Sequence, residues 1–206
     1  LALNAEQLLA TWLAEEEIAH IHGWDFSHIR GRYTEQQRLA WQFESIVRTL
    51  LTPQTRLLDM DTGGGEFLLS LNHPYALTAA TENYLPNVQL CKEKLLPLGI
   101  DFKQADAGGQ LPFSDGSFDL VVNRHGDFNP QEIFRVLKPG GLFATQQVGA
   151  ENDRELVTLL MGEQPLPFPE QYLEKVKSAF AQAGFDILRA QEAFGPIRFF
   201  DIGALV

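Results

Sequence analysis

An α/β fold, a doubly wound and mainly parallel sheet with helices on both faces, is predicted for this 206-residue chain by three features. Short apolar runs bounded by turn residues recur from residue 56 onward, and helix-like stretches separate most of them. Several runs are apolar at consecutive positions (LLDM, FDLVV), as strands are when both sheet faces are covered. Three consecutive glycines, Gly63, Gly64 and Gly65, follow the first run and lead into a helical pattern.

In chain order, Asn4 can cap a helix reaching to about residue 21, with Leu8, Leu9, Trp12 and Leu13 on one face. Residues 22–33 (HGWDFSHIRGRY) lack a period and read as a loop. Thr34 and Gln37 form a capping-box pattern that opens a second helix, 34–51, which Pro53 ends. Strands are then predicted at 56–60, 77–81, 100–104, 118–123, 142–148 and 185–190. Helices are predicted at 66–71, 84–96 (with Pro86 in its first turn), 130–137 and 169–184, and residues 138–141 (KPGG) as a turn. Trp12 and Trp41, spaced helically with leucines, read as core. Right-handed crossovers between such units make a Rossmann-like sheet whose ligand site lies at the carboxyl ends of the strands. The division expected is 1–52, N-terminal helices with a possible lid role, and 53–206, the cofactor-binding domain. The final IRFFDIGALV stays apolar to its last residue, so the position of the natural C-terminus is open.

Composition narrows the function classes. No apolar run reaches the roughly 18–20 residues that cross a bilayer, and the first residues lack the basic flank of a signal peptide. A single cysteine, Cys91, rules out a disulfide framework, and with five scattered histidines no four-ligand Cys/His zinc set is expected; a cytoplasmic location is the expectation. A net charge of −11 repels phosphate backbones, so bulk nucleic acid is disfavoured as a partner.

The segment LLDMDTGGGEFLLSL, residues 57–71, carries the strongest site signal. A strand ends near Asp59, and glycines without Cβ atoms allow a ligand against the backbone. A dinucleotide fingerprint would need a further glycine where Leu68 stands, which opposes a nicotinamide cofactor. Glu82 lies just past the second strand, about 20 residues beyond the glycine turn, where a carboxylate can accept both ribose hydroxyls of an adenosine.

Asp106-Ala107, Leu111-Pro112-Phe113, Asp115, Ser117-Phe118-Asp119 and the run from Arg135 to Gly141 (RVLKPGG) follow. With the glycine segment they resemble the class I S-adenosylmethionine-dependent methyltransferases, in particular the type 11 group, over about residues 55–148. The resemblance implies S-adenosylmethionine as cofactor and methyl transfer as activity. It implies that Asp59, Gly63 and Gly65 hold the methionine moiety and Glu82 the ribose. Asp106 with the Ala107 backbone would face the adenine, and the Asn123 carbonyl the amino-acid part. The 111–113 and 135–141 runs would be architectural. One departure stands out: where the family has the first glycine of its motif, this chain has Asp61, which could reach the ligand's ammonium, point to solvent or impair the site.

No compulsory catalytic motif is expected, because the sulfonium already activates the methyl and the protein must chiefly align reactants. His125, next to the fourth strand's end, is the candidate general base; its other reading is a loop histidine bonded to backbone. Trp24, Asp25, Arg32 and Tyr33 could clamp an acceptor from the N-terminal loop, or Trp24 could simply pin the helices. The acidic balance favours a small-molecule acceptor. Two further readings stay open: a cofactor-binding protein without transferase activity, and a nicotinamide-dependent oxidoreductase.

Overall fold

A computed structural model describes residues 4–19, 27–35 and 39–205. In chain order it contains α1 (Ala5–Ile18), β1 (Tyr33–Glu35), α2 (Phe43–Leu50), β2 (Leu57–Met60), α3 (Glu66–Ser70), β3 (Thr78–Glu82) and α4 (Leu85–Lys94). There follow β4 (Asp101–Gln104), β5 (Phe118–Arg124), α5 (Pro130–Val136), β6 (Leu137–Gln146), α6 (Arg154–Met161), α7 (Leu173–Gln182) and β7 (Ile197–Phe199). Two compact units emerge: Gln42–Glu192, and Leu1–Trp41 together with Ala193–Val206. This differs from the expected 1–52 and 53–206 at both ends, since α2 groups with the sheet and the C-terminal residues group with the N-terminal segment.

The larger unit is built on a five-stranded sheet in the order β4-β3-β2-β5-β6, every pairing parallel. Successive residues of the central strands face opposite ways, and both sides are apolar. Leu57, Ala80, Leu120 and Val122 pack with Phe43 and Val47 of α2, Leu68 of α3 and Val88, Cys91 and Leu95 of α4. Leu58, Met60, Ala79 and Val121 pack on the other side with Ile133 and Val136 of α5 and Phe180 of α7. Each fully buried side chain of this size contributes roughly 1.5–3 kcal/mol, and helices this short are marginal without such packing. The chain runs outward from β2 to β4, then returns to β5 on β2's other side, so β2 and β5 flank the switch point where such sheets bind ligands.

In the smaller unit Asn4 caps α1, and the reciprocal Asn4–Gln7 bonds complete a capping box. The apolar face expected of this helix is not buried among the described residues: α1 buries no residue and Trp12 is 38% exposed. Trp41, also expected in the core, is half-buried. A two-stranded antiparallel ladder joins β1 to β7, pairing Thr34 with Arg198. Thr34 therefore sits in a strand and the helix starts only at Phe43, a correction of the 34–51 helix. A local cap signal lost to a pairing with residues more than 160 positions away; Gln37, its other half, lies outside the described residues.

Two expectations for the larger unit also change. The sixth strand at 185–190 does not form. The Phe185 N–H bonds to the Phe180 carbonyl after Gly184 at φ +101°, and the Phe185 ring packs on Phe134 and Phe180, so strand pairing is forfeited at its first residue. The KPGG run is not a free turn but an irregular stretch within β6: Phe118 pairs with Leu137 and Leu120 already with Leu142. Sequence periodicity also missed α6 and β7.

Phe180 joins α7 to the sheet, its ring centroid 5.0 Å from Phe143, 5.3 Å from Phe128 and 5.2 Å from Phe185. Phe180→Ala is expected to lower unfolding free energy by about 3–5 kcal/mol, read from the denaturant midpoint at unchanged slope.

Candidate functional site

Three backbone paths converge at the carboxyl edge of the sheet. After β2 the chain turns through Asp61 to Gly65, with Gly63 at φ +63° and Gly65 at φ +83°. Gly65 is doubly constrained, because a Cβ there would also press into the Leu95 side chain. After β3 the chain turns at Asn83 into α4, and after β5 it loops through His125 to Asp127.

Glu82, 5% exposed at the end of β3, ties two of these paths together. Its Oε2 accepts the Gly63 N–H at 2.8 Å, and its Oε1 accepts the N–H groups of Asn83 at 2.8 Å and Tyr84 at 2.9 Å. Asn87 Nδ2 is a long fourth donor at 3.5 Å. The Thr62 N–H bonds to the Thr81 carbonyl, and the Cys91 thiol donates to the Gly63 carbonyl. Burial, then the charge of Glu82, pushes that thiol up to about 12, so it stays protonated.

Asp59 is 2% exposed and accepts the Thr62 hydroxyl at 2.6 Å. Burial pushes its carboxyl up to about 7, Thr62 opposes the rise, and Asp61 and Glu82 add like-charge repulsion. Asp61, half-buried with φ +52°, is likewise raised to about 7 by burial and then by Glu82, with Asp106 and Asp127 adding to it; the Asp127 N–H donates to its carboxylate and opposes the shift. Asn123 is fully buried: Nδ2 reaches the carbonyls of Met60 and Asp127, each at 3.2 Å, while Oδ1 accepts from Gln147 and Thr145. His125, at φ +62°, is half-buried; burial and then the neighbouring Arg124 charge hold its pKa below the ordinary value. Asp106 is exposed and accepts the Gly108 N–H, and Ala107 beside it is buried.

The predicted residues Asp59, Asp61, Gly63, Gly65, Glu82, Asp106, Ala107, Asn123 and His125 thus all lie on the same edge of one sheet. Arg32 and Tyr33 lie in the smaller unit. Arg32 is held by Glu15 at 2.8 Å and by Asp201 through two bonds of 2.5 and 3.1 Å, and Tyr33 stacks on Phe199. That guanidinium is already matched by two carboxylates. Trp24 and Asp25 lie outside the described residues. Leu111-Pro112-Phe113 is held by Arg135, which donates to the carbonyls of Leu111 and Phe113 and pairs with Glu132 and Asp115. Lys138 pairs with Asp119 across the β5–β6 irregularity. Sequence reasoning missed Gly126 and Asp127. The His-Gly-Asp run at 125–127 was visible, but no spacing rule says that it meets Asp61. Among the described residues no Cys, His or carboxylate group is arranged to hold a metal ion, and no helix is long and apolar enough to cross a membrane.

Residues 58–145 match the family model described as "Methyltransferase domain", type 11. The chain is similar to the phthiotriol/phenolphthiotriol dimycocerosates methyltransferase of Mycobacterium tuberculosis, at 35% identity over 98 residues, 44% of this chain and 36% of that protein. It is also similar to the demethylmenaquinone methyltransferase of Thermus thermophilus, at 32% identity over 134 residues, 56% of this chain and 60% of that one. The chain therefore spans between 36% and 60% of the length of these curated relatives. A solved S-adenosylmethionine-dependent methyltransferase from Aquifex aeolicus shares the fold, with a TM-score of 0.54 at 18% identity over 85% of this chain and 90% of that one.

Asp59 and Asp61 keep protons near neutrality that the unfolded chain, with carboxyls at 3.8, releases. Their linkage makes stability fall as pH rises from about 4 to about 7. His125 acts oppositely, because its neutral native form gives stability above its ordinary 6.5 that is lost as pH falls. Thermal unfolding of the unliganded chain should show Asp61→Asn raising the midpoint most near pH 8 and least near pH 4; a uniform offset across that range would contradict this assignment.

Proposed function

We infer that this chain, whose residues 58–145 match the type 11 methyltransferase domain, transfers a methyl group from S-adenosylmethionine to a small-molecule acceptor. One observation carries the reading: two left-handed glycines and three carboxylates, of Asp59, Asp61 and Glu82, surround the switch point of a parallel sheet. The donor set fits the ligand. S-adenosylmethionine bears an ammonium, a sulfonium and one carboxylate, and a net cation suits a crevice whose own carboxylates repel one another. A nicotinamide dinucleotide, carrying anionic phosphates, fits the same crevice poorly, and Leu68, 2% exposed in the core, occupies the place of a fingerprint glycine.

In this reading Asp59 and the Gly63–Gly65 turn hold the methionine part. Glu82 takes the ribose hydroxyls, exchanging its long Asn87 contact for them. Asp106 and the Ala107 backbone bound the adenine, and the Asn123 carbonyl faces the amino-acid end. When bound, the cofactor supplies a methyl carbon already activated by the positive sulfur. What remains for the protein is to align a nucleophile in line with that carbon, exclude water and accept a proton where the acceptor carries one. His125 suits the last task because its lowered pKa keeps the imidazole neutral at pH 7. The acceptor is read as a small molecule from the acidic charge balance and from relatives named for phthiotriol-type and demethylmenaquinone substrates.

Isothermal titration should show S-adenosylmethionine and S-adenosylhomocysteine binding; no heat at about 1 mM ligand would remove the reading. Binding without transfer to any acceptor in a labelled-methyl screen would favour a non-catalytic cofactor-binding protein. Once an acceptor with an ionisable proton is found, His125→Ala should lower kcat roughly 100-fold while S-adenosylhomocysteine affinity holds; full turnover would end its role as base.

A further inference from the structure

Asp61 stands where the type 11 motif has a glycine, yet the backbone keeps the path a glycine would give, at φ +52°. Aspartate tolerates this left-handed region better than most residues, since its short side chain can bond locally. Here the donor comes from the loop after β5 instead, the Asp127 N–H. The second half of the arrangement is Gly126. A Cβ at Gly126 would collide with the Asp61 side chain and approach Asn123 Nδ2 at 2.9 Å. The volume that a side chain at 126 would need is thus filled by the carboxyl of residue 61. Its direction follows: toward the loop after β5 and the side of Asn123, not along the glycine turn.

The charges that act most strongly on Asp61 are negative. Glu82 at the end of β3, Asp106 after β4 and Asp127 after β5 all act on it as like charges, and Asp59 lies two residues behind. Arg124 acts on Asp59 and lies over the Phe67 ring at 5.9 Å, and His125 is held toward its neutral form. A ligand that brings a fixed positive charge to this side of the crevice relieves the repulsion.

We propose that Asp61 and Gly126 are a coupled pair that adds a side-chain carboxylate to the recognition of the cofactor's ammonium, where a glycine at 61 would offer backbone alone. The proposal rests on the methyl-transfer reading of the site. It assigns Asp61 a binding role selective for the amino-acid end of the ligand, and it makes affinity pH-dependent, because a protonated Asp61 must release its proton to solvent before it can pair with the incoming ammonium.

Two ligands separate this role from a general disturbance of the turn. S-adenosylhomocysteine carries the ammonium, whereas 5′-methylthioadenosine has the same adenosine and thioether without the amino acid. By calorimetry, Asp61→Asn, which keeps the size and left-handed tolerance of the side chain, should weaken S-adenosylhomocysteine about tenfold or more and change methylthioadenosine less than about twofold. Gly126→Ala, which displaces the carboxyl, should give the same selective loss. Wild-type affinity for S-adenosylhomocysteine should fall between about pH 8 and pH 6, more steeply than that of Asp61→Asn. Equal weakening of both ligands, or unchanged or tighter S-adenosylhomocysteine binding in Asp61→Asn, would overturn the proposal while leaving the methyl-transfer reading intact. A wild-type chain that binds neither ligand at any pH would overturn both.

Discussion

The buried Glu82 carboxylate is the interaction on which the rest of the site depends. Its two oxygens gather the N–H groups of Gly63, Asn83 and Tyr84, so the turn after β2 and the entry to α4 are fixed by one group. Charge-assisted bonds of this kind are stronger than neutral ones, and the low local dielectric makes an unmatched carboxylate there costly. The glycine turn consequently has its shape before any ligand arrives. Preorganisation of that kind lowers the ordering cost of binding.

The same economy of space explains the crowding of acids. A parallel sheet offers one crevice at its switch point, and the ends of β2, β3, β4 and β5 all deliver side chains to it. Asp59, Asp61, Glu82, Asp106 and Asp127 sit closely enough for several to act on one another, and burial of the first two raises their affinity for protons. Such a cluster disfavours anionic ligands and suits a cationic one. Arg124 acts on Asp59 from the end of β5, whereas Arg135 and Lys138 hold the loop before β5 and the irregular start of β6 at the sheet's other edge.

Legibility in the sequence followed the range of the determining interaction. The strands at 57–60 and 118–124 were readable because a covered parallel strand announces itself by consecutive apolar residues. The helix from Leu85 was readable from Pro86, and α5 from Pro130, because a proline in a helix's first turn is a local signal. The 34–51 helix and the 185–190 strand were misread for the opposite reason. Thr34 is claimed by Arg198 in a ladder, and Phe185 by Phe134 and Phe180 around the end of α7. Neither partner is visible in a window of neighbouring residues. The Asp61–Gly126 contact escaped notice likewise, since 65 positions and three strands separate the pair.

By itself, then, the sequence determined the α/β class, the glycine turn and the list of acidic residues at strand ends, because periodicity, backbone freedom and residue chemistry are properties of short segments. Only the tertiary structure decided which of those acids face one another, that Glu82 serves the turn as well as the crevice, and that Arg32 is matched by Glu15 and Asp201. Electrostatic character depends on distance and burial, and both come from strands brought together by packing. A carboxylate's neighbours in space, not in sequence, set its charge.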